Sequence, residues 1–414
     1  MVARRPQLSA SVDGISISVR SPREERLTES ATAVSRPPIR FNRHELAGAF
    51  GDMGTDVPLM IGVALASHLD GTSVLIMFGA MQILTGLAYR MPMPVQPLKA
   101  MAAIVIAQQT AAPVLFGAGL AIGVTMLILA ATGALTWLGR VIPKSVVRGI
   151  QFGLGLQLAS IALQRFVPSE GTGGYVLAGV AFLLVVLLLG NRRLPAALPV
   201  VAIGLGIAAF RLDSHLLAAS VGLHLPIPHV PRLSDIAAGF VLLALPQIPL
   251  SLGNSVLATR QLAKDLFPER EISVRKIGLT YAAMNLLNPW LGGIPTCHGS
   301  GGMAGHYAFG GRTGGSVIIY GLLFVALGLL FGPGFDGIAQ AFPLPILGVL
   351  LLFESLALIW LIRDTAHSRL DLPVSALVGL VSVGLPYGYV VGMLVGTALV
   401  WLGARGNLVS SDAV

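Results

Sequence analysis

The chain has 414 residues, of which 54% are hydrophobic and only 11% charged, with 27 Lys and Arg against 19 Asp and Glu. Soluble domains carry about 25% charged residues, so this composition excludes a soluble two-domain enzyme. The net charge of +8 does not mark a nucleic-acid binder, because the basic residues lie in short gaps between apolar runs rather than in a stripe with stacking aromatics.

Residues 1–44 are polar, rich in Arg, Ser and Glu, and lack an apolar core, so they read as a disordered cytoplasmic tail without a cleavable signal peptide. Fourteen apolar segments follow, at roughly 46–67, 72–90, 97–112, 114–139, 145–164, 173–190, 195–211, 235–259, 274–291, 298–309, 314–332, 338–362, 372–386 and 388–404. A membrane-spanning helix needs roughly 20 apolar residues, and the third and tenth segments are short of that. The expected fold is therefore an all-α polytopic membrane protein. With fourteen spans both termini share one side, and 22 of the 27 basic residues fall there while Arg165, Arg211 and Arg232 fall opposite. Positive residues favour the cytoplasm, which places both termini in it.

Val57-Pro58-Leu59-Met60-Ile61-Gly62 in segment one resembles Ile248-Pro249-Leu250-Ser251-Leu252-Gly253 in segment eight, and Pro94 with Met101-Ala102 resembles Pro295 with Met303-Ala304. These matches divide the chain into a first seven-segment repeat (45–220), a second (233–404) and a short tail (405–414). Seven is odd, so the second repeat enters from the opposite face, the inverted plan of many transporters.

Segment one carries Asp52 and Asp56, which share a helical face at i and i+4. Charged groups within a membrane are costly and usually functional or paired. They read as proton carriers, as neutralisers of Lys99, or as residues of the cytoplasmic interface. In segment three, Pro92, Pro94 and Pro97 lie within six residues. Proline disrupts a helix interior and pushes the preceding residue to extended geometry, so Met91 to Gln96 are expected to be extended and Pro97 to begin a half-helix whose first turn holds Lys99. Segment eight, with Pro246 and Pro249, is expected to kink or break, and Gln247, Ser251, Asn254 and Ser255 to face a cavity or bond between helices.

Segment ten repeats the pattern of segment three: Pro295, then Thr296-Cys297-His298-Gly299-Ser300, then a glycine-rich helix start. Two half-helices aiming their N-termini at one midplane point would present free N–H donors and partial positive charge to an anion. Gln96, Lys99 and His298 would add side chains to that cradle. The same prolines and glycines also occur as plain kinks and packing sites without any ligand. His306 and Arg312 read as the cytoplasmic end of segment ten, and Glu354, inside segment twelve, as a coupling carboxylate or a paired structural one. The single cysteine, Cys297, leaves no internal disulfide and no multi-cysteine metal site. No phosphate-binding loop or nucleophile elbow is present, so neither a cofactor nor a metal is expected and the chain does not read as an enzyme.

Three blocks carry a family likeness: Phe50-Gly51-Asp52-Met53-Gly54-Thr55, Pro92-Met93-Pro94-Val95-Gln96-Pro97-Leu98-Lys99, and Cys297-His298-Gly299-Ser300-Gly301-Gly302-Met303-Ala304-Gly305-His306-Tyr307. Pro246-Gln247-Ile248-Pro249-Leu250 with Asn254-Ser255 is a weaker fourth. They resemble the molybdate transporter family, related to sulfate permeases. The resemblance implies a seven-plus-seven inverted repeat with core and gate domains, and molybdate as substrate. It makes Asp52, Thr55, Gln96, Lys99, Gln247, Asn254, His298, Gly299 and Ser300 cavity candidates, with Asp52, Asp56 and Glu354 as coupling carboxylates. Asp56 departs from the neutral or aromatic residue expected there. Only about a dozen residues follow Leu402, where many sulfate permeases carry a soluble regulatory domain, which favours the molybdate branch.

The expected activity is molybdate import across the cytoplasmic membrane by alternating access, with a proton as co-substrate and the bilayer and a second copy in a homodimer as partners. Competing readings are a sulfate or other oxyanion transporter of the same fold, an anion channel, a nucleobase permease and a non-transporting scaffold.

Overall fold

The computed structural model describes residues 38–189, 196–212 and 214–405. Residues 1–37, which hold most of the expected tail, residues 190–195 with Arg192 and Arg193, and residues 406–414 lie outside the described residues. Residues 39–44 belong to the same compact unit as the helices that follow, and Arg40 N donates to Thr313 Oγ1 at 3.1 Å. Asn42 caps helix α1 (Arg43–Ala49), its Oδ1 accepting from His44 N at 3.0 Å and Glu45 N at 3.1 Å. The buried Glu45 carboxylate in turn accepts from the backbone N–H groups of Arg312, Thr313 and Ser316 at 2.9–3.0 Å.

The chain turns through Phe50-Gly51-Asp52 into α2 (Met53–Ser67), followed by α3 (Gly71–Tyr89), strand β1 (Val95–Pro97), the short α4 (Lys99–Gln108) and α5 (Ala112–Ala131). Then come α6 (Lys144–Ile161), α7 (Gly171–Leu188) and α8 (Ala197–Arg211). The second half runs α9 (Leu233–Leu266), α10 (Val274–Leu287), strand β2 (Thr296–His298), the short α11 (Ser300–Ala308), α12 (Gly315–Ala341), α13 (Leu344–Trp360), α14 (Asp371–Gly384) and α15 (Gly388–Arg405). Among the described residues, seven helical stretches are long and apolar enough to cross a membrane. Helix α5 is apolar around nearly its whole circumference, as a lipid-embedded or fully packed helix requires.

Packing is reciprocal. Helix α3 lies along α12, and α5 lies along α10 and α9; α6 packs on α13 and α14, and α14 on α15. Glycines permit the closest of these approaches. A Cβ on Gly79 would sit 2.4 Å from Gly321 O, and one on Gly321 would sit 2.5 Å from Gly79 O, so α3 and α12 cross backbone to backbone, the packing that small residues allow in membranes.

Two local expectations differ from what is observed. Pro97 is the last residue of β1 and Lys99 the first of α4, because strand pairing continues through Pro97 and Leu98 N donates to Pro295 O at 3.1 Å. Segment eight does not break at its prolines. Two wide turns with i to i+5 bonding, Phe240–Ala244 and Ser251–Ala258, flank Leu245–Leu250 and carry the chain past Pro246 and Pro249.

Candidate functional site

The site is organised by the pairing of β1 with β2. The strands run antiparallel with Gln96 opposite Cys297, Val95 opposite His298 and Pro97 opposite Thr296. Each strand is fixed by an amide side chain from the helix before it. Gln82 Nε2 donates to Val95 O at 2.7 Å and its Oε1 accepts from Val95 N at 2.9 Å. Asn285 Nδ2 donates to Thr296 O at 2.6 Å and its Oδ1 accepts from Thr296 N at 3.0 Å. These clamps satisfy backbone groups of two fully buried strands, where irregular backbone needs partners within the protein. Val95 and Thr296 are related by the offset that separates Pro94 from Pro295, which is also the offset across the central Gln96–Cys297 pair.

Each strand runs directly into a helix, and because the strands are antiparallel α4 starts from one end of the ribbon and α11 from the other. Cross-strand partners share a face and neighbours alternate, so Gln96 and Cys297 face one side and His298 and Thr296 the other. On the Gln96 side, Gln96 Nε2 donates to both oxygens of Asp52, at 2.7 and 2.8 Å. Asp52 reaches this point because the turn before α2 touches α11: a Cβ on Gly302 would fall 2.0 Å from Asp52 Oδ2, and one on Gly305 would fall 2.3 Å from Gly51 O. Lys99 Nζ pairs with Glu354 Oε2 at 3.1 Å, and Thr55 Oγ1 donates to Glu354 Oε1 at 2.8 Å. Tyr320 donates to Asp56 Oδ2 at 3.2 Å, while Asp56 Oδ1 meets no partner among the described residues.

The two helix starts differ. Gln247 Oε1 accepts from Ala100 N at 2.9 Å and Met101 N at 3.2 Å, which caps α4, and Gln247 Nε2 donates to Ser251. At the start of α11 no side chain of the described residues caps Ser300, Gly301 or Gly302, and a Cβ on Gly301 would meet nothing within 4 Å. Ser300 and Asn254 line a cavity of about 500 Å³ whose wall also includes Lys144 and Arg148. Arg148 and Lys144 both pair with Asp364.

Of the sequence candidates, Asp52, Thr55, Gln96, Lys99, Gln247 and Glu354 converge on the helix starts, and Gly299, at the strand-to-helix step, lies against Gln96, 2.0 Å from its Oε1 to the Cβ it lacks. Asn254 and Ser300 sit together on the adjoining cavity. His298 is turned away. Its Nε2 lies 2.7 Å from Thr280 Oγ1 and its ring packs edge-on against Tyr89. The strand alternation that turns Gln96 to Asp52 turns His298 to the opposite face, toward Thr280 and Tyr89.

The chain matches the model of the family described as the molybdate transporter of the MFS superfamily over residues 44–158 and 239–358. The chain belongs to the molybdate transporter family. It is 37% identical over 369 residues to molybdate transporter 2 of Arabidopsis thaliana, covering 77% of this chain and 79% of that protein. It is 35% identical over 414 residues to molybdate transporter 1 of the same plant, covering 88% and 89%. Against molybdate transporter 1 of Chlamydomonas reinhardtii the identity is 30%, covering 78% and 85%.

The family fold is shared with solved anion transporters. The murine Solute Carrier 26 family member A9 anion transporter in its inward-facing state matches with a TM-score of 0.67 at 15% identity, covering 98% of this chain and 76% of that one. The transmembrane domain of the cyanobacterial bicarbonate transporter BicA matches with a TM-score of 0.62 at 16% identity, covering 86% and 96%. A member of this family is an integral membrane transporter, not an enzyme.

Sequence reasoning missed several parts of this family member's site. Tyr320, Gln82 and Asn285 sit within apolar helices whose periodicity carries no mark of them; only the rarity of amides in such helices is a signal. His306, expected at the end of segment ten, lies in the last turn of α11 and is fully buried against Tyr320, with neither ring nitrogen partnered among the described residues. Arg312 does lie at that end, with its guanidinium 3.6 Å from the Tyr307 ring.

Proposed function

We propose that this chain imports molybdate across the cytoplasmic membrane by alternating access, as fourteen spans in an inverted seven-plus-seven repeat, with both termini cytoplasmic and two copies forming a homodimer. The observation that carries the reading is that α4 and α11 start from the two ends of one β1–β2 ribbon, with Lys99 in the first turn of one and N–H groups without a side-chain cap at the other. Helix starts of this kind hold tetrahedral oxyanions through N–H donors and the helix dipole. The matching clamps and the reciprocal packing support the repeat, and the basic-residue asymmetry supports the orientation. In this reading α1–α5 with α9–α12 hold the anion and α6–α8 with α13–α15 are the gate it moves against.

The anion site reads as follows. Ser300, Gly299 and Asn254 meet the oxyanion from the open side, Gln96 and Lys99 from the other, with Thr55, Gln247 and His298 holding the surrounding strands and caps. Charge balance brings in the proton. Asp52, Asp56 and Glu354 surround a single lysine, so a dianion entering an unprotonated site meets net negative charge. Protonation of Asp52 or Asp56 removes that repulsion and couples the proton to the anion.

Uptake of labelled molybdate into proteoliposomes, with and without an inward proton gradient, tests the activity. Gradient-stimulated uptake that excess tungstate suppresses and excess sulfate does not is expected. Suppression by sulfate would transfer the reading to a general oxyanion transporter, and flux at channel rates would replace the carrier mechanism.

A further inference from the structure

The segment between α8 and α9 crosses the end of the bundle where α3 begins, and its bonding is unlike that of a water-exposed loop. Gly222 N donates to Leu330 O at 3.1 Å and His224 N to Leu329 O at 2.8 Å. Those carbonyls are available because α12 is interrupted there. Pro333 has no N–H to return to Leu329, and Phe331 leaves helical geometry at φ −148° and ψ 23°. Further along, Ile227 N donates to Ser73 Oγ at 2.9 Å and His229 N to Trp290 O at 2.8 Å. The His229 ring lies 4.8 Å from that of Phe116. The segment thus bonds to α12, to the first turn of α3 and to the chain just after α10.

Between Val221 and Pro231 five of the eight backbone donors are paired. Pro226, Pro228 and Pro231 have none, and Val221, Gly222, His224, Ile227 and His229 are paired. Only Leu223, Leu225 and Val230 keep an N–H without a partner among the described residues. Three prolines without a donor and five paired N–H groups lower the number of unmet backbone groups that an extended segment carries where water is scarce. The side chains match. Val221, Leu223, Leu225, Ile227, Val230 and Leu233 are 49–82% exposed. The first four alternate along the extended chain with Gly222, His224 and Pro226, so they form an apolar row on one face. On α12, Leu322, Leu327 and Leu330 are exposed too, so the row adjoins an apolar helix face of the kind that meets lipid.

We propose that residues 221–233 form a membrane-interface strap, which carries this aliphatic row into the lipid at the end of the bilayer where α3 begins and ties α3, α10 and α12 together there. The occupant of the face is lipid acyl chain. A polar loop in water would not carry six exposed aliphatic side chains in thirteen residues.

The test labels single cysteines. Leu223→Cys and Leu225→Cys are made in the full chain, whose one native cysteine, Cys297, is buried, spin-labelled and reconstituted in liposomes. Collision with oxygen, which partitions into lipid, is compared with collision with a water-soluble nickel chelate. At both positions oxygen is expected to exceed nickel by several fold, whereas a label at Gln261, an exposed residue on the last turns of α9, should favour nickel. Nickel-dominated collision at Leu223 and Leu225 would overturn the strap and make the segment an aqueous loop. Dipolar broadening between labels, reversed by dilution with unlabelled protein, would also overturn it, because the face would then be covered by a second copy. A third measurement guards against labels that disturb folding. Leu225→Trp should be quenched by brominated acyl chains and shielded from iodide, and the reverse pattern would sink the proposal.

Discussion

Lys99→Gln separates the pairing that this ammonium makes in the structure from the anion-binding role proposed for it. Lys99 Nζ is 3.1 Å from Glu354 Oε2, and both side chains are mostly buried, at 19% and 15% exposure. Removing one member of such a pair typically costs about 3–5 kcal/mol, because the remaining charge is left unpaired. Here Thr55 still donates to Glu354 at 2.8 Å, so the loss should lie near the lower end, a fall of several degrees in Tm. The proposed role is attraction of the anion. Two unit charges about 4 Å apart attract by about 4 kcal/mol at an effective dielectric of about 20. Some of this is offset by desolvation, so a loss of roughly 2–3 kcal/mol in binding is expected, about 30- to 150-fold in Kd.

A double variant tells the two apart. Lys99→Gln with Glu354→Gln removes both charges, so it should recover most of the lost Tm while molybdate binding stays weak. Calorimetry with molybdate on the purified proteins, alongside thermal unfolding, measures both quantities. Unchanged Kd in Lys99→Gln would remove Lys99 from the anion site. Recovery of wild-type affinity in the double variant would show that Lys99 acts only by neutralising Glu354.

Three further outcomes are expected. Gly302→Ala places a methyl 2.0 Å from Asp52 Oδ2 and 2.8 Å from Pro94 Cγ, so the turn before α2 must withdraw and the two Gln96–Asp52 bonds weaken; uptake should fall at least tenfold, and near-normal uptake would show that the contact is dispensable. If Asp52 carries the coupled proton, wild-type uptake should rise as the external pH falls, since protonation relieves repulsion of the dianion, and Asp52→Asn should flatten that profile; an Asp52→Asn profile as steep as that of the wild type would assign the proton to another group. Finally, His298→Ala should lower Tm by removing the bond to Thr280 and the packing on Tyr89 while changing the molybdate Kd less than threefold, whereas Ser300→Ala should weaken binding with little effect on Tm; the reverse assignment, read by the same two assays, would move His298 into the site.

The sequence by itself was sufficient for the membrane class, because 11% charge and long apolar runs leave water-soluble folds without a surface. It also located the two irregular segments, since prolines at 92, 94 and 97 and at 295 deny the helix its donors whatever surrounds them. Those constraints are local, and local chemistry is what a sequence shows directly. Tertiary structure decided which way the side chains face. The register of β1 on β2 aims Gln96 at Asp52 and turns His298 toward Thr280, and a shift of one residue would have reversed both. It also decided that Gln247 caps α4 while the start of α11 stays open, and that Glu354, 255 positions along the chain from Lys99, pairs with it. These pairings depend on where distant helices cross, which glycines such as Gly302 permit and which spacing along the chain does not encode.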